Sequence, residues 1–126
     1  MAFENALIDH VQLTVPMERE AEALVFYRTA LGLKEIPKPP ELQKNGGAWF
    51  QLGTVQLHIA REPIGTEANS ASKRHACFVV AELSAAEQRL RQRGVEIVPD
   101  QQPTEGWIRF YVRDPGGNRL EIAQRA

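Results

Sequence analysis

One cysteine in 126 residues leaves no partner for an internal disulfide and no basis for a multi-cysteine zinc or iron–sulfur site. No apolar run approaches the roughly 20 residues that a membrane span needs. The first residues also lack a basic region followed by a hydrophobic stretch. An excess of charge is missing as well: 15 basic residues stand against 16 acidic ones, for a net charge of −1. Nothing here marks a footprint for nucleic acid or another polyanion. These absences lead us to expect a cytoplasmic, soluble protein without nucleic-acid or membrane partners. The length suits one domain, large enough to bury a real core.

What the chain does have is a repeat. A strand-like run from Ile8 to Val15 opens the first half, and another from His75 to Val80 opens the second, so His10 and His75 are equivalent at an offset of 65. A helical stretch ending in Gly32-Leu33 recurs as one ending in Gly94-Val95, at an offset of 62. The last strands, Val55 to Ala60 and Arg119 to Ala123, make His58 equivalent to Glu121 at an offset of 63. The chain has three histidines, and all three fall in this pattern beside one glutamate. Three imidazoles and a carboxylate are the donor types that hold a divalent metal.

Periodicity supplies the element order. Val11, Leu13 and Val15 alternate with His10, Gln12 and Thr14, the period of a strand with one face on the core. Apolar residues from Glu18 to Leu31 recur at helical spacing, and Gly32 stops them. Leu33 to Ile36 reads as a short strand that Pro37, Pro39 and Pro40 terminate, and Glu41 to Gly47 as a loop. Gly53-Thr54 turns one strand, Ala48 to Leu52, into the next. In the second half Ser84 and Glu87 form a capping box for a helix that runs to Arg93. Glu96 to Val98 and Trp107 to Arg113 are strands, and Asp114-Pro115-Gly116-Gly117-Asn118 is a turn before the last strand. Each half reads strand, helix, strand, strand, strand. We expect module one over about 5–62, a polar linker over 63–73 and module two over about 74–124.

In the strands that carry them, His10, His58, His75 and Glu121 sit opposite the face with the most regular apolar residues. The apolar face packs on helices, and a sheet curved around the other face makes a cavity. Glu121 lies between Leu120 and Ile122, where a carboxylate without a partner is costly to bury. His58 has three open roles: fourth ligand, base beside the metal, or neutral wall residue. Cys77 shares the face of His75 and reads as a buried, inert thiol. Arg109 and Tyr111 share the cavity face of their strand. Trp49, Gln51 and Gln12 suit either the pocket wall or a subunit interface.

The segments Asp9-His10-Val11-Gln12-Leu13, Phe26 to Leu33 and Asp114 to Glu121 resemble the glyoxalase / bleomycin-resistance / dioxygenase group, the vicinal oxygen chelate superfamily. The likeness covers essentially the whole chain. It implies an α+β fold of two tandem βαβββ modules whose curled mixed sheets surround a central cavity. Carried over by position, it implies His10, His58, His75 and Glu121 as ligands of one divalent ion, zinc, nickel, manganese or iron. It also implies a homodimer and a glyoxalase-like lyase or isomerase, with Glu121 or His58 moving the proton. Tyr111 is similar in position to a cavity tyrosine of the fosfomycin-resistance relatives. With Arg109, Gln12 and Trp49 it is expected to hold an anionic, oxygenated substrate. The superfamily also contains thiol transferases, ring-cleaving dioxygenases and drug-sequestering binders. This chain departs from the glyoxalase pattern in carrying His58 where a glutamate is usual, and it ends sooner than the fosfomycin enzymes.

Overall fold

The alternating residues of the first strand separate as their pattern predicts: Val15 is fully buried, Val11 and Leu13 are half-buried, and His10 and Gln12 are exposed. In the computed structural model, which describes residues 2–63 and 67–125, this strand is β1 (His10–Pro16). It leads through a 3-10 turn (Met17–Arg19) into α1 (Glu20–Val25), β2 (Lys34–Ile36), β3 (Ala48–Leu52) and β4 (Val55–Glu62). After a 3-10 turn (Glu67–Ala71) come β5 (His75–Val79), α2 (Leu83–Gln92), β6 (Val98–Pro99), β7 (Trp107–Arg113) and β8 (Arg119–Arg125). Two four-stranded mixed sheets result, with orders β1-β4-β3-β2 and β5-β8-β7-β6. β1 lies parallel to β4, and β5 parallel to β8, while the remaining pairs are antiparallel. The register carries the duplication to the residue: Gln12 pairs with His58, and Cys77 pairs with Glu121. The sheets are not closed, and among the described residues no helix is long and apolar enough to cross a membrane.

Four local features depart from the sequence pattern. The strand expected over Glu96 to Val98 is Val98–Pro99, and Pro99 pairs with Phe110 instead of ending it, as an edge strand allows. The first helix does not run to Leu31 as one α-helix; it ends in a π-helical turn over Phe26–Ala30. There the Leu31 N–H reaches back five residues to the Phe26 carbonyl at 3.0 Å, and Gly32, at φ 67°, ends the turn. Residues Pro40–Asn45 form a 3-10 turn instead of an irregular loop, opened by a proline whose missing N–H costs nothing there. The capping box of α2 does not form. The helix begins at Leu83, whose N–H donates to the Gln124 side-chain oxygen at 2.7 Å, and Glu87 turns instead to Arg91 at 2.9 Å. A tertiary acceptor has replaced the local one.

One core serves both modules. Val15, Phe26, Phe50, Leu57 and Ile59 of the first half cluster with Leu90, Phe110, Val112, Leu120 and Ile122 of the second. Polar contacts lock this pairing. The buried Tyr27 hydroxyl donates to Asp114 Oδ2 at 2.5 Å, and Asn118 Nδ2 donates to the Thr14 carbonyl at 2.9 Å. Arg89 of α2 donates to the carbonyls of Ala30 and Thr29 at 3.0 and 2.9 Å. Gly116 lies so close to Val15 that a Cβ there would stand 2.6 Å from a valine methyl. The chain motifs that looked like helix and turn punctuation are therefore one joint between the modules.

Tyr27→Phe should test this joint, because it removes a donor from a buried carboxylate while keeping the ring. We expect a loss of about 1–3 kcal/mol of unfolding free energy by urea denaturation. An unchanged midpoint would show that the joint contributes nothing to stability.

Candidate metal and substrate site

The four expected donors fall into two pairs. In module one, β1 and β4 bring His10 and His58 face to face, with ring centroids 4.2 Å apart and planes 14° from parallel. Trp49, the cross-strand partner of His58, stacks on its other side at 3.8 Å and 2°. His58 is thus the middle ring of a three-ring stack, buried, with Nε2 placed 2.9 Å from Gln56 Oε1. Burial holds its imidazole below the usual histidine value; the charges of His10 and Lys38 act the same way, against Asp9.

In module two, β5 and β8 bring His75 Nε2 to 2.9 Å from Glu121 Oε1. Glu121 is 4% exposed. Trp107 Nε1 donates to its other oxygen at 2.9 Å, and Arg109 Nη1 lies 3.5 Å from that oxygen. Burial alone would raise the Glu121 carboxyl. Hydrogen bonds from Trp107, Cys77 and His75 and the charge of Arg109 reverse that and hold it below the usual glutamate value. Cys77 is exposed rather than buried as expected, because β5 turns this face outward. The desolvation that remains and the neighbouring Glu121 push its thiol up to about 11, so it stays protonated at neutral pH.

The donor chemistry fits a divalent ion at His75 and Glu121, with His10 as a third donor. His10 Nδ1 lies 2.8 Å from Asp9 Oδ2, and His75 Nδ1 lies 2.9 Å from the Lys73 carbonyl oxygen. Each Nδ1 therefore has a local acceptor, which turns Nε2 toward the site, the arrangement that orients a metal-binding imidazole. For His75 that nitrogen donates to a Glu121 oxygen, so an imidazole nitrogen and a carboxylate oxygen already stand side by side where a divalent ion would take the place of the shared proton. Two ligands at right angles on one ion, with bonds of about 2.1 Å, stand about 3.0 Å apart, close to the 2.9 Å seen. His58 fits less well as a ligand beside His10. An imidazole holds a metal in its own ring plane, and two stacked, near-parallel rings cannot address the same ion.

Among the described residues, no three histidine, cysteine or carboxylate groups converge within one chain. His10 and His58 stay with module one, while His75 and Glu121 stay with module two. Gln12 shares a cavity of about 330 Å³ with His75 and Arg119. Tyr111 is buried and meets the His75 ring edge-on at 5.7 Å. Arg109 lies on the expected face, yet its charge is already engaged: Nε donates to Asp100 Oδ2 at 3.0 Å and Nη2 lies 3.4 Å from the Gln102 carbonyl. Sequence reasoning missed Asp9, Trp107, Asp100 and Arg119. Alternation placed Trp107 and Arg119 on the faces of Arg109 and Glu121, so those two were open to the same argument. Asp100 comes from a loop, where no period places a side chain.

The fold and this paired site define the class. The model of the Glyoxalase/Bleomycin resistance protein/Dioxygenase superfamily matches residues 7–122, and the chain belongs to that superfamily. A glyoxalase family protein from Bacillus anthracis is similar over 95% of both chains, at 40% identity and a TM-score of 0.85. The fold is also that of a lactoylglutathione lyase from Agrobacterium tumefaciens (20% identity, 94% and 93% covered, TM-score 0.71). The fosfomycin resistance protein FosX from Listeria monocytogenes shares it too (16% identity, 96% and 94% covered, TM-score 0.74). No curated protein matches the chain in sequence.

The ring stack makes a specific forecast for His58. In cobalt-loaded protein, His58→Gln should leave the visible spectrum unchanged and shift metal affinity by less than about tenfold. A changed ligand-field spectrum would make His58 a ligand.

Proposed function

We propose that the chain is a metal-dependent enzyme of the glyoxalase type, a lyase or isomerase acting on a small, oxygenated, anionic substrate. The observation that carries this reading is the shared preparation of His10 and His75, each with Nδ1 tied back to a local acceptor, together with the buried Glu121 carboxylate at His75 Nε2. His75, Glu121 and His10 would hold the ion. When bound, it would supply a Lewis acid for two adjacent substrate oxygens, and zinc, nickel, manganese and ferrous iron all suit this donor set.

The remaining chemistry belongs to the protein. Glu121 is the group to move a proton: Trp107 and Arg109 hold one of its oxygens, so the other is aimed into the site. His58 is wall for the substrate: its ring faces are covered by Trp49 and His10, and its Nε2 is engaged by Gln56. Tyr111 and Trp49 add aromatic surface that excludes water. Since His10 stays with module one and the other two donors with module two, we propose that the site is completed in a cytoplasmic homodimer. His10 of one copy would then meet His75 and Glu121 of the other. Exposed Leu7, Ile8 and Val79, at 93%, 67% and 53% exposure, supply apolar surface for a second copy to cover.

Elemental analysis of purified protein tests the reading. We expect about one divalent ion per subunit, a dimer by sedimentation, and a lower melting midpoint after chelation. His10→Ala and His75→Ala should each lose the ion and keep the fold. Full metal content in both variants, or none in the wild type, would sink the proposal.

A further inference from the structure

The β7–β8 register sets Arg113 directly opposite Arg119. Like charges at such a position repel and destabilise the pair unless each finds another partner. Arg113 finds one: its Nη1 donates to the carbonyls of Asn69, Ser72 and Gly117 at 2.8, 3.0 and 3.0 Å. Burial, and then the charge of Arg119, hold the Arg113 guanidinium below its ordinary value. Arg119 has no such relief. Among the described residues its side chain makes no hydrogen bond and no ion pair, and its guanidinium carbon lies 3.8 Å from the centre of the Tyr111 ring. Stacking uses the face of a guanidinium and leaves its in-plane N–H donors free along the edge.

That edge borders a cavity of about 360 Å³ lined by Arg119, Tyr111, Arg109, Asp100 and Lys73, among others. The two innermost opposite charges cancel, because Arg109 is paired to Asp100 at 3.0 Å. Lys73 and Arg119 remain, and neither has an acid partner among the described residues. Lys73 is exposed, but the half-buried Arg119 is a positive charge without a counter-charge, which is costly, so the cavity is electrostatically incomplete by itself. Tyr111 joins it to the chemistry, since its ring carries Arg119 on one side and meets His75 edge-on.

We propose that this cavity is an oxyanion site, in which the Arg119 fork and the Lys73 ammonium bind the carboxylate or phosphoryl end of the ligand. Arg109, the cation expected for this task from the sequence, instead positions Glu121. That the bound anion is one end of the substrate rests on the function proposed above; that an anion binds here does not. A planar, always-charged fork suits such a group with two parallel hydrogen bonds, and Lys73 adds a second charge.

Titration with inorganic phosphate tests the site, with chloride at matched ionic strength as control. Thermal unfolding and the arginine Nε–H signals in NMR would both be followed. Phosphate should raise the midpoint saturably and shift the Arg119 signal, and chloride should do neither. Arg119→Met should weaken phosphate binding by about tenfold or more, and Lys73→Met by a smaller factor. If Arg119→Met does not fold, the exposed Lys73→Met and the charge-preserving Arg119→Lys, which loses the fork, carry the test. An acetate arm distinguishes the sources: a tighter response to phosphate assigns a phosphoryl group, and an equal or tighter one to acetate assigns a carboxylate. Repeating the titration after chelation, with metal content measured, separates this proposal from the metal reading. Phosphate bound through Arg119 in metal-free protein supports the site whether or not the protein ever carries an ion. Equal responses to phosphate and chloride, undiminished binding in the Arg119 and Lys73 variants, or binding only with metal present would overturn it.

Discussion

Asp114 is a carboxylate with almost no access to water, and the arrangement of the two modules depends on how its oxygens are satisfied. One oxygen accepts from the backbone N–H groups of Gly116 and Asn118, which folds the β7–β8 turn. The other accepts from the Tyr27 hydroxyl and from Asn118 Nδ2, which binds that turn to the end of the first helix. Asn118 then reaches Thr14, so β1 is held to the same point. A buried acceptor without its donors costs about as much as several surface contacts supply, so the turn cannot drift from the helix. The start of β8 is thereby set, and with it the places of Arg119 and Glu121. The apolar faces close on one another, and the faces bearing His10 and His75 stay open.

The duplication is geometric rather than chemical. Equivalent positions on β4 and β8 carry His58 and Glu121, and the two halves have made opposite surroundings for them. Around His58 the neighbours are rings, Trp49 and His10, and the imidazole is kept neutral. Around Glu121 they are donors, Trp107, His75 and Arg109, and the carboxyl is kept charged. Module one therefore offers one histidine and an aromatic wall, while module two offers a histidine, a carboxylate and the cations beside them. In the proposed enzyme these halves are complementary, which is why a second copy of the chain has a chemical part as well as a packing one.

Period-two alternation made the strands legible, because His10, Gln12 and Cys77 can face out only if Val11, Leu13 and Phe78 face in. The β7 strand was read to the residue, and the offsets between halves reappear in the pairing of Gln12 with His58 and Cys77 with Glu121. What escaped was decided by partners distant in sequence. Ser84 and Glu87 have the spacing of a capping box, but the side chain of Gln124 reaches the helix end first. Arg109 reads as a cavity cation, but Asp100 arrives from an irregular loop and neutralises it. His58 matches a ligand position, but the stack with Trp49 and His10 depends on ring orientation, which alternation does not specify.

The central claim is that His10 of one copy serves His75 and Glu121 of another, and mixed dimers test it most directly. A chain carrying His10→Ala and a differently tagged chain carrying Glu121→Ala are each expected to bind no metal alone. Purified heterodimers of the two should contain one intact site, built from the unaltered module of each chain. The measurement is metal per heterodimer. The account predicts about half the wild-type dimer's content, by the closed two-fold pairing of such interfaces. No metal in the heterodimer, with a full complement in the wild type, would place all three donors in one chain and contradict it.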